Sequence, residues 1–140
     1  MKTMISNPFI MVVDDDAMVR DIIKEYLEAF GYTNILIMNN GAEAIRHLQN
    51  PANRVDLIIS DWEMPELNGL GLLQAVRKSP HRKDTKFLMI TSQRSQERFK
   101  ITRAAQSKVD AYIIKPFRGR VLREKVDQLL FGIHNEEDVA

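Results

Sequence analysis

The sequence predicts an α/β protein built on a doubly wound, five-stranded parallel sheet. Five apolar runs rich in β-branched residues recur about every 20–30 residues, and several are apolar at consecutive positions. Such runs are typical of parallel strands that are buried on both faces. Helical periodicity fills the stretches between them, and this alternation favours one sheet with helices on both sides. The predicted strands cover residues 9–13, 35–38, 55–60, 87–91 and 111–114.

Five helices are predicted to alternate with these strands. The clearest follows Asp16, where apolar residues at spacings of 3, 1, 3, 1 and 3 form one continuous stripe. Asp16 is suited to the N-cap of this helix, and Gly31 to the position just past its end. The other four are predicted over about 41–49, around 70–76 with an end before Pro80, over about 95–107 and over about 118–131.

Length and composition indicate one soluble globular domain. The chain has 140 residues, of which 44% are hydrophobic and 28% charged, and it has no cysteine. The absence of cysteine excludes disulfide bonds and Cys-ligated zinc. No apolar run approaches the roughly 20 residues that span a bilayer, and the first eight residues lack the apolar core of a secretory signal. We therefore expect a cytoplasmic protein without membrane insertion, with one domain over 1–132 and a frayed acidic end over 133–140.

Charge is distributed unevenly along the chain. Residues 1–76 contain 5 Lys or Arg against 11 Asp or Glu, whereas residues 77–125 contain 15 against 4. The acidic part is expected to hold any cation site, and the basic part suits an acidic partner. The same basic residues would also suit the solvated faces of helices, so both interpretations stay open.

Residues able to carry chemistry stand at the ends of four predicted strands. The acidic triplet that starts at Asp14 follows the first strand, Asp61 follows the third, Thr91 ends the fourth and Lys115 follows the fifth. Doubly wound sheets bind their ligands at the carboxyl ends of the strands, so we expect these side chains to lie close together. Clustered carboxylates with no His or Cys nearby favour Mg²⁺ or Mn²⁺. The lysine and the hydroxyl suit phosphoryl oxygens.

Four motifs around these residues resemble those of the receiver domain of two-component response regulators, in particular the single-domain, CheY-like chemotaxis proteins. They occur in the family's order and spacing, and the likeness extends from residue 8 to about residue 132. The motifs are VVDDD at 12–16, SDWEMPELNG at 60–69, MITS at 89–92 and YIIKPF at 112–117. The resemblance implies a flavodoxin-like (βα)5 fold with strand order 2-1-3-4-5.

The resemblance also implies a chemical role for each matched position. Asp61 would accept a phosphoryl group from a phosphohistidine of a sensor kinase, and Thr91 and Lys115 would bind the phosphoryl oxygens. The metal ion, Mg²⁺ or Mn²⁺, would be held by Asp15, by Asp14 directly or through water, by Asp61 and by the backbone carbonyl of Glu63. The bond between Lys115 and Pro116 would be cis.

Signal output and reset follow from the same resemblance. Phosphorylation would draw Thr91 inward and move Tyr112 from an exposed to a buried rotamer, which repacks the face formed by the fourth predicted helix, the fifth strand and the last helix. Glu63 and Gln93 would flank the hydrolytic water and tune self-dephosphorylation. The protein is then a phosphoprotein switch of a phosphorelay, and not an enzyme with a separate substrate.

Some positions depart from the family pattern. Ser107, Lys108 and Val109 stand where a glycine is common, which leaves the shape of the loop before the fifth strand open. Asn68 stands where Asp is commoner. The fourth predicted helix and its end are basic, which suggests a downstream protein target with an acidic segment; the basic residues are Arg94, Arg98, Lys100, Arg103 and Lys108. No reading module for DNA accompanies the receiver-like part, so direct DNA binding is not expected.

Three other functions fit the sequence less well. A phosphatase of the haloacid dehalogenase type also uses an Asp, Mg²⁺, a hydroxyl and a Lys, but its nucleophile ends the first strand and a cap domain covers its substrate. A receiver-like scaffold that works without phosphorylation usually lacks the Asp or the Lys, and both are present here. A flavodoxin-like cofactor binder would need a Gly-rich phosphate loop after a strand, and none is found.

Overall fold

A computed structural model describes residues 7–92 and 108–132. Their strands form one parallel sheet of five, in the order β2-β1-β3-β4-β5. The strands are β1 (Phe9–Val13), β2 (Asn34–Met38), β3 (Leu57–Asp61), β4 (Lys86–Ser92) and β5 (Ala111–Lys115). The predicted fold class and strand order are confirmed. The predicted third strand began two residues too early: the Phe9 N–H donates to the Asp56 carboxylate, over 2.8 Å, and not to a backbone carbonyl, and the pairing with β1 starts at Leu57.

Four helices are present in the described residues. They are α1 (Ala17–Ala29), α2 (Gly41–Leu48), α3 (Gly69–Lys78) and α4 (Gly119–Phe131). The fourth predicted helix, at 95–107, and the predicted acidic end at 133–140 lie outside the described residues. None of the described helices is long and apolar enough to cross a membrane.

The ends of α1 match the sequence signals. Asp16 is the N-cap, and its side chain accepts the backbone N–H of Met18. At the other end, Gly31 has φ +97°, a left-handed conformation that costs glycine little. The amides of Gly31 and Tyr32 donate to Glu28 O and Leu27 O, each over 3.0 Å, which closes the helix with a Schellman motif.

Both faces of the sheet are covered by helices. Side chains alternate across a strand, so Ile10 and Val12 join the core beside α1 and α4, whereas Met11 and Val13 join the core beside α2 and α3. Full burial of such a side chain contributes about 1.5–3 kcal/mol. This double burial explains why β1 is apolar at every position. Polar groups are instead concentrated at the two ends of the strands, which we call the amino edge and the carboxyl edge of the sheet.

Arg77 on α3 forms hydrogen bonds with the segments that lead into β4 and β5. Its guanidinium donates to Lys108 O, Lys83 O and Thr85 O and bonds Asp110 Oδ2 over 2.8 Å. Asp110 also accepts the backbone N–H of Phe87. These bonds hold the described end of the loop before β5, at 108–110, against α3 and the start of β4.

Candidate functional site

The carboxyl ends of β1, β3, β4 and β5 bring the predicted site residues to one edge of the sheet. Asp14 directly follows β1, Asp61 is the last residue of β3 and Lys115 is the last residue of β5. Thr91 lies in β4, one residue past Ile90, which pairs with Asp61. Parallel pairing therefore aligns these positions across strands that are far apart in sequence.

The centre of the site is an ion pair between Asp61 and Lys115. Lys115 Nζ lies 2.8 Å from Asp61 Oδ1 and 3.9 Å from Asp14 Oδ2. Asp61 and Asp14 are 7% and 1% exposed. The lysine thus neutralises part of a buried negative charge that the strands force together.

The pKa values at the site reflect this crowding. The pKa of Asp14 is raised to about 6, mainly by burial and also by the charge of Asp61, while the Asp16 backbone N–H and Lys115 act in the opposite direction. Burial also raises the pKa of Asp61 against the lowering effect of Lys115. For Lys115, burial lowers the pKa, but the hydrogen bond and charge of Asp61 outweigh it and leave the pKa raised.

The donor set suits a divalent cation. One carboxylate oxygen from each of Asp14, Asp15 and Asp61 lies within 4.8 Å of the others. Asp14 Oδ2 is buried and has no hydrogen-bond partner within the described chain, while Asp14 Oδ1 accepts the N–H of Asp16 over 2.8 Å. An unsatisfied buried carboxylate oxygen is costly. An all-oxygen cluster with a free oxygen therefore fits a hard cation such as Mg²⁺ or Mn²⁺.

A shallow cleft opens beside this cluster. It is lined by Asp15, Trp62, Glu63, Met64, Pro65 and Asn68. Trp62 is 5% exposed and packs into the core beside α2 and α3, as a packing residue would. Glu63 is exposed at the rim of the cleft. A ligand that entered the cleft would meet Asp15 and the small exposed part of Trp62.

The loop that returns from β3 to α3 is closely packed. Asn68 is the N-cap of α3, and its side chain accepts the N–H of Gly71 over 2.9 Å. Asn at this position therefore caps the helix, as the commoner Asp also can. Gly69 donates its N–H to Trp62 O. A Cβ at Gly69 would lie 2.4 Å from Asp61 O, so only glycine lets α3 begin this close to the site.

Thr91 and Tyr112 lie on the neighbouring strands β4 and β5 and differ in exposure. Thr91 is buried, and its hydroxyl donates to Ser92 O over 3.2 Å. Tyr112 is 44% exposed on β5 and pairs with Met89 in the sheet. Gln93 and the basic residues Arg94, Arg98, Lys100 and Arg103 lie outside the described residues, while Lys108 is exposed.

An apolar groove lies beside Lys115. The bond between Lys115 and Pro116 is cis, the geometry that the resemblance implies. The groove is lined by Val19, Ile22, Tyr26, Lys115, Pro116 and Phe117. On α1, which supplies Val19, Ile22 and Tyr26 to this groove, Met18 is 71% and Ile22 43% exposed. Phe117 also packs against the core beside α1 and α4.

Two residues that shape the site were not predicted from the sequence. Gly69 was part of a matched motif, but its close approach to Asp61 O was not foreseen. Arg20 donates from Nη1 to the backbone carbonyl of Asp14 over 2.7 Å. A basic residue in the first turn of a helix opposes the helix dipole, and that unfavourable position was the available signal.

The strand order and the polar cluster at the carboxyl edge define the flavodoxin-like class of doubly wound proteins, which bind ligands at this edge. Residues 10–127 match the model of the response regulator receiver domain, and the chain belongs to this family.

Relatives and solved structures agree with this assignment. The chain is 36% identical to chemotaxis protein CheY of Pseudomonas aeruginosa over 120 residues, which is 86% of this chain and 94% of that protein. It is 37% identical to CheY1 of Helicobacter pylori over 121 residues, 86% of this chain and 95% of that protein. The structure of CheY4 of Vibrio cholerae superposes with a TM-score of 0.78 at 29% identity and covers 89% of this chain and 100% of that one.

A further neighbour was solved with a ligand. TrrA of Thermotoga maritima, in complex with Mg²⁺ and BeF, gives a TM-score of 0.75 at 33% identity and covers 88% of this chain and 99% of that one. The chain is thus a receiver domain with CheY-like chemotaxis homologues.

Proposed function

We propose that this chain is a phosphoacceptor switch of two-component signalling, which takes a phosphoryl group from a sensor histidine kinase onto Asp61. The observation that carries the proposal is the 2.8 Å contact between Lys115 Nζ and Asp61 Oδ1, beside a buried Asp14 oxygen without a hydrogen-bond partner in the described chain. The similarity to chemotaxis proteins supports a role in chemotaxis. The protein is proposed to act by its own phosphorylation state and to have no separate substrate.

In the transfer step, a carboxylate oxygen of Asp61 attacks the phosphorus of the phosphohistidine. The P–N bond breaks, and its electron pair returns to an imidazole that is protonated on its other nitrogen, which leaves an acyl phosphate on Asp61. Lys115 moves from Asp61 Oδ1 to a phosphoryl oxygen and compensates its charge. A divalent cation held by Asp14, Asp15, Asp61 and the Glu63 carbonyl would supply further charge compensation for the phosphoryl oxygens.

The proposed signal is a change in Thr91 and Tyr112. The Thr91 hydroxyl donates to a neighbouring backbone carbonyl, Ser92 O, and would exchange this bond for a charge-assisted bond to a phosphoryl oxygen. The inward movement of Thr91 would make room for the half-exposed ring of Tyr112. A partner with an acidic segment would read the altered face, and Glu63 and Gln93 would set the rate of hydrolysis.

The apolar groove supports a protein as the phosphodonor. Lys115 lines both the groove and the reactive cluster, so a donor seated in the groove lies next to Asp61. The exposed side chains of Met18 and Ile22 extend this surface along α1. Apolar surface of this kind favours contact with the apolar face of a partner helix.

The test is the response of Trp62 fluorescence to Mg²⁺ followed by beryllofluoride, with acetyl phosphate as the chemical donor. Trp62 neighbours Asp61 and lines the cleft with Asp15, so ligand binding should change its emission. Asp61→Asn should retain the fold and lose the response to beryllofluoride. Asp84→Asn, at an exposed position on the loop between α3 and β4, removes the same charge and should respond as the wild type does.

Each failure has a distinct meaning. A wild-type protein without a response would reject the phosphoacceptor role, and so would an undiminished response in Asp61→Asn. Repeated turnover of p-nitrophenyl phosphate would instead favour a phosphatase. Binding of a partner at equal affinity with and without beryllofluoride would favour a scaffold.

A further inference from the structure

Arg20 occupies a position on α1 that needs an explanation. It is the fourth residue of the helix, where a positive charge meets the positive end of the helix dipole. Its side chain is partly buried and folds back to the preceding loop, where Nη1 donates to Asp14 O over 2.7 Å. The contact is a short, charge-assisted hydrogen bond to the backbone of a residue whose carboxylate belongs to the acidic cluster.

The loop between β1 and α1 has few other restraints. Asp16 N donates to Asp14 Oδ1 over 2.8 Å, and Met18 N donates to Asp16 Oδ1 over 2.9 Å. The amide of Asp14 reaches Met38 O only at 3.3 Å. The carboxylates of Asp14, Asp15 and Asp61 repel one another across the cluster, which would tend to open the loop. Arg20 ties the Asp14 carbonyl to α1 and opposes that opening.

We propose that Arg20 is a positioning residue for the divalent-cation site: it holds the Asp14 backbone so that the carboxylates of Asp14 and Asp15 face Asp61 before a cation binds. The inference rests on the cation site included in the proposed function. Groups that orient metal ligands without touching the metal commonly change metal affinity by about 10-fold or more when they are removed.

The direction in which Mg²⁺ affinity changes when Arg20 is replaced distinguishes a positioning role from a purely electrostatic one. A guanidinium near the cluster repels a cation through space, so loss of its charge alone should tighten Mg²⁺ binding. Loss of a positioning contact should weaken binding. Lys24 provides a matched control, because it lies one turn further along α1, is exposed, and its side chain makes no hydrogen bond or ion pair with the described residues.

The experiment compares Mg²⁺ titrations of the wild type, Arg20→Met, Arg20→Lys and Lys24→Met, followed by Trp62 fluorescence at constant ionic strength. Arg20→Met keeps an apolar stem without donors and should bind Mg²⁺ about 10-fold more weakly. Arg20→Lys retains a donor and should recover part of the loss. Lys24→Met should bind as the wild type does or slightly more tightly.

A readout without metal tests the same contact. In the absence of Mg²⁺, the amide of Asp16 should exchange with solvent several-fold faster in Arg20→Met than in the wild type, while the amides of β3 exchange at unchanged rates. Equal or tighter Mg²⁺ binding by a folded Arg20→Met protein would overturn the positioning role and leave the proposed function intact. A wild type that fails to bind Mg²⁺ would overturn both.

Discussion

The two edges of the sheet satisfy their charges in opposite ways. At the amino edge, Arg77 makes four bonds to groups of the protein, and Arg82 donates to Leu48 O and Asn50 O at the end of α2. At the carboxyl edge, Asp14 keeps a buried oxygen without a hydrogen-bond partner in the described chain, and one lysine faces two buried carboxylates. Among the described residues, the buried side-chain groups of the amino edge have hydrogen-bond partners, whereas Asp14 Oδ2 at the carboxyl edge would gain a partner from a bound ligand.

The difference indicates that residues at the amino edge mainly stabilise the fold, whereas residues at the carboxyl edge mainly serve ligand binding. Satisfied buried groups stabilise a fold, while unsatisfied ones cost free energy until something binds them. Substitutions at the amino edge should therefore change the free energy of unfolding and leave Mg²⁺ affinity alone. Substitutions at the carboxyl edge can raise stability while they damage the site.

Arg77→Met should have the largest effect on stability. The substitution keeps an apolar stem but removes the donors to Lys108 O, Lys83 O and Thr85 O and the ion pair with Asp110. Because the Arg77 side chain is only 15% exposed and loses four bonds at once, the free energy of unfolding should fall by about 3 kcal/mol. Urea denaturation at pH 7 measures the loss.

The control for Arg77 is a surface pair. Arg120→Met removes an exposed i,i+4 ion pair with Glu124 at 3.9 Å and should cost less than about 0.5 kcal/mol. Mg²⁺ titration of both variants should match the wild type. A large loss of Mg²⁺ affinity in Arg77→Met would show that the two edges are not independent.

Asp14→Asn should stabilise the metal-free protein. The amide oxygen can still accept the Asp16 N–H, and the ionised, buried carboxylate disappears. A pKa raised from 3.8 to about 6, in which the attraction of Lys115 is already included, corresponds to an upper limit near 3 kcal/mol at pH 7. The amide nitrogen that replaces Oδ2 stays buried and costs part of this gain, so we expect a stabilisation of about 1–2 kcal/mol. Mg²⁺ should bind the variant more weakly.

The same substitution should change the pH dependence of stability. Because the pKa of Asp14 is higher in the folded protein than in the unfolded chain, the folded state holds the proton more tightly between about pH 4 and pH 6. The free energy of unfolding of the metal-free wild type should therefore fall as pH rises through this interval. Asp14→Asn should show a smaller fall, and identical profiles for the two proteins would contradict the burial cost assigned to Asp14.

Local sequence patterns predicted much of this architecture. The alternation of buried runs and amphipathic stretches was enough for the five strands, and Asp16 and Gly31 marked the ends of α1. The strand ends then identified Asp14, Asp61, Thr91 and Lys115 as neighbours, because parallel strands bring their carboxyl ends together. These features depend on periodicity and on one rule of topology.

Features that depend on side-chain geometry could not be predicted in this way. Asp14 and Asp15 are equivalent in the sequence, yet Asp14 is buried and Asp15 is exposed. Three of the four bonds of Arg77 and both bonds of Arg82 end on backbone carbonyls, which carry no residue-specific signal, and the partners of Arg82 lie 32 and 34 residues away. Arg20 also bonds a backbone carbonyl, and its sequence signal was limited to its unfavourable position in the first turn of α1.

The smallest predicted effect concerns Glu66 in the loop between β3 and α3. Glu66 has φ +67°, and the N–H of Leu67 donates to Pro65 O over 2.8 Å to close a tight three-residue turn. A left-handed conformation costs a non-glycine residue about 1 kcal/mol, so the strain and the negative charge of Glu66 both lie at the carboxyl edge.

Two variants at this position separate strain from charge. Glu66→Ala removes the charge and keeps the strain, whereas Glu66→Gly removes both, so Glu66→Gly should exceed Glu66→Ala in stability by about 0.5–1 kcal/mol in urea denaturation. The difference isolates the backbone because both variants lack the carboxylate. Equal stability of the two would mean that the turn adapts without strain, and the excess free energy of the carboxyl edge would then come from the buried carboxylates alone.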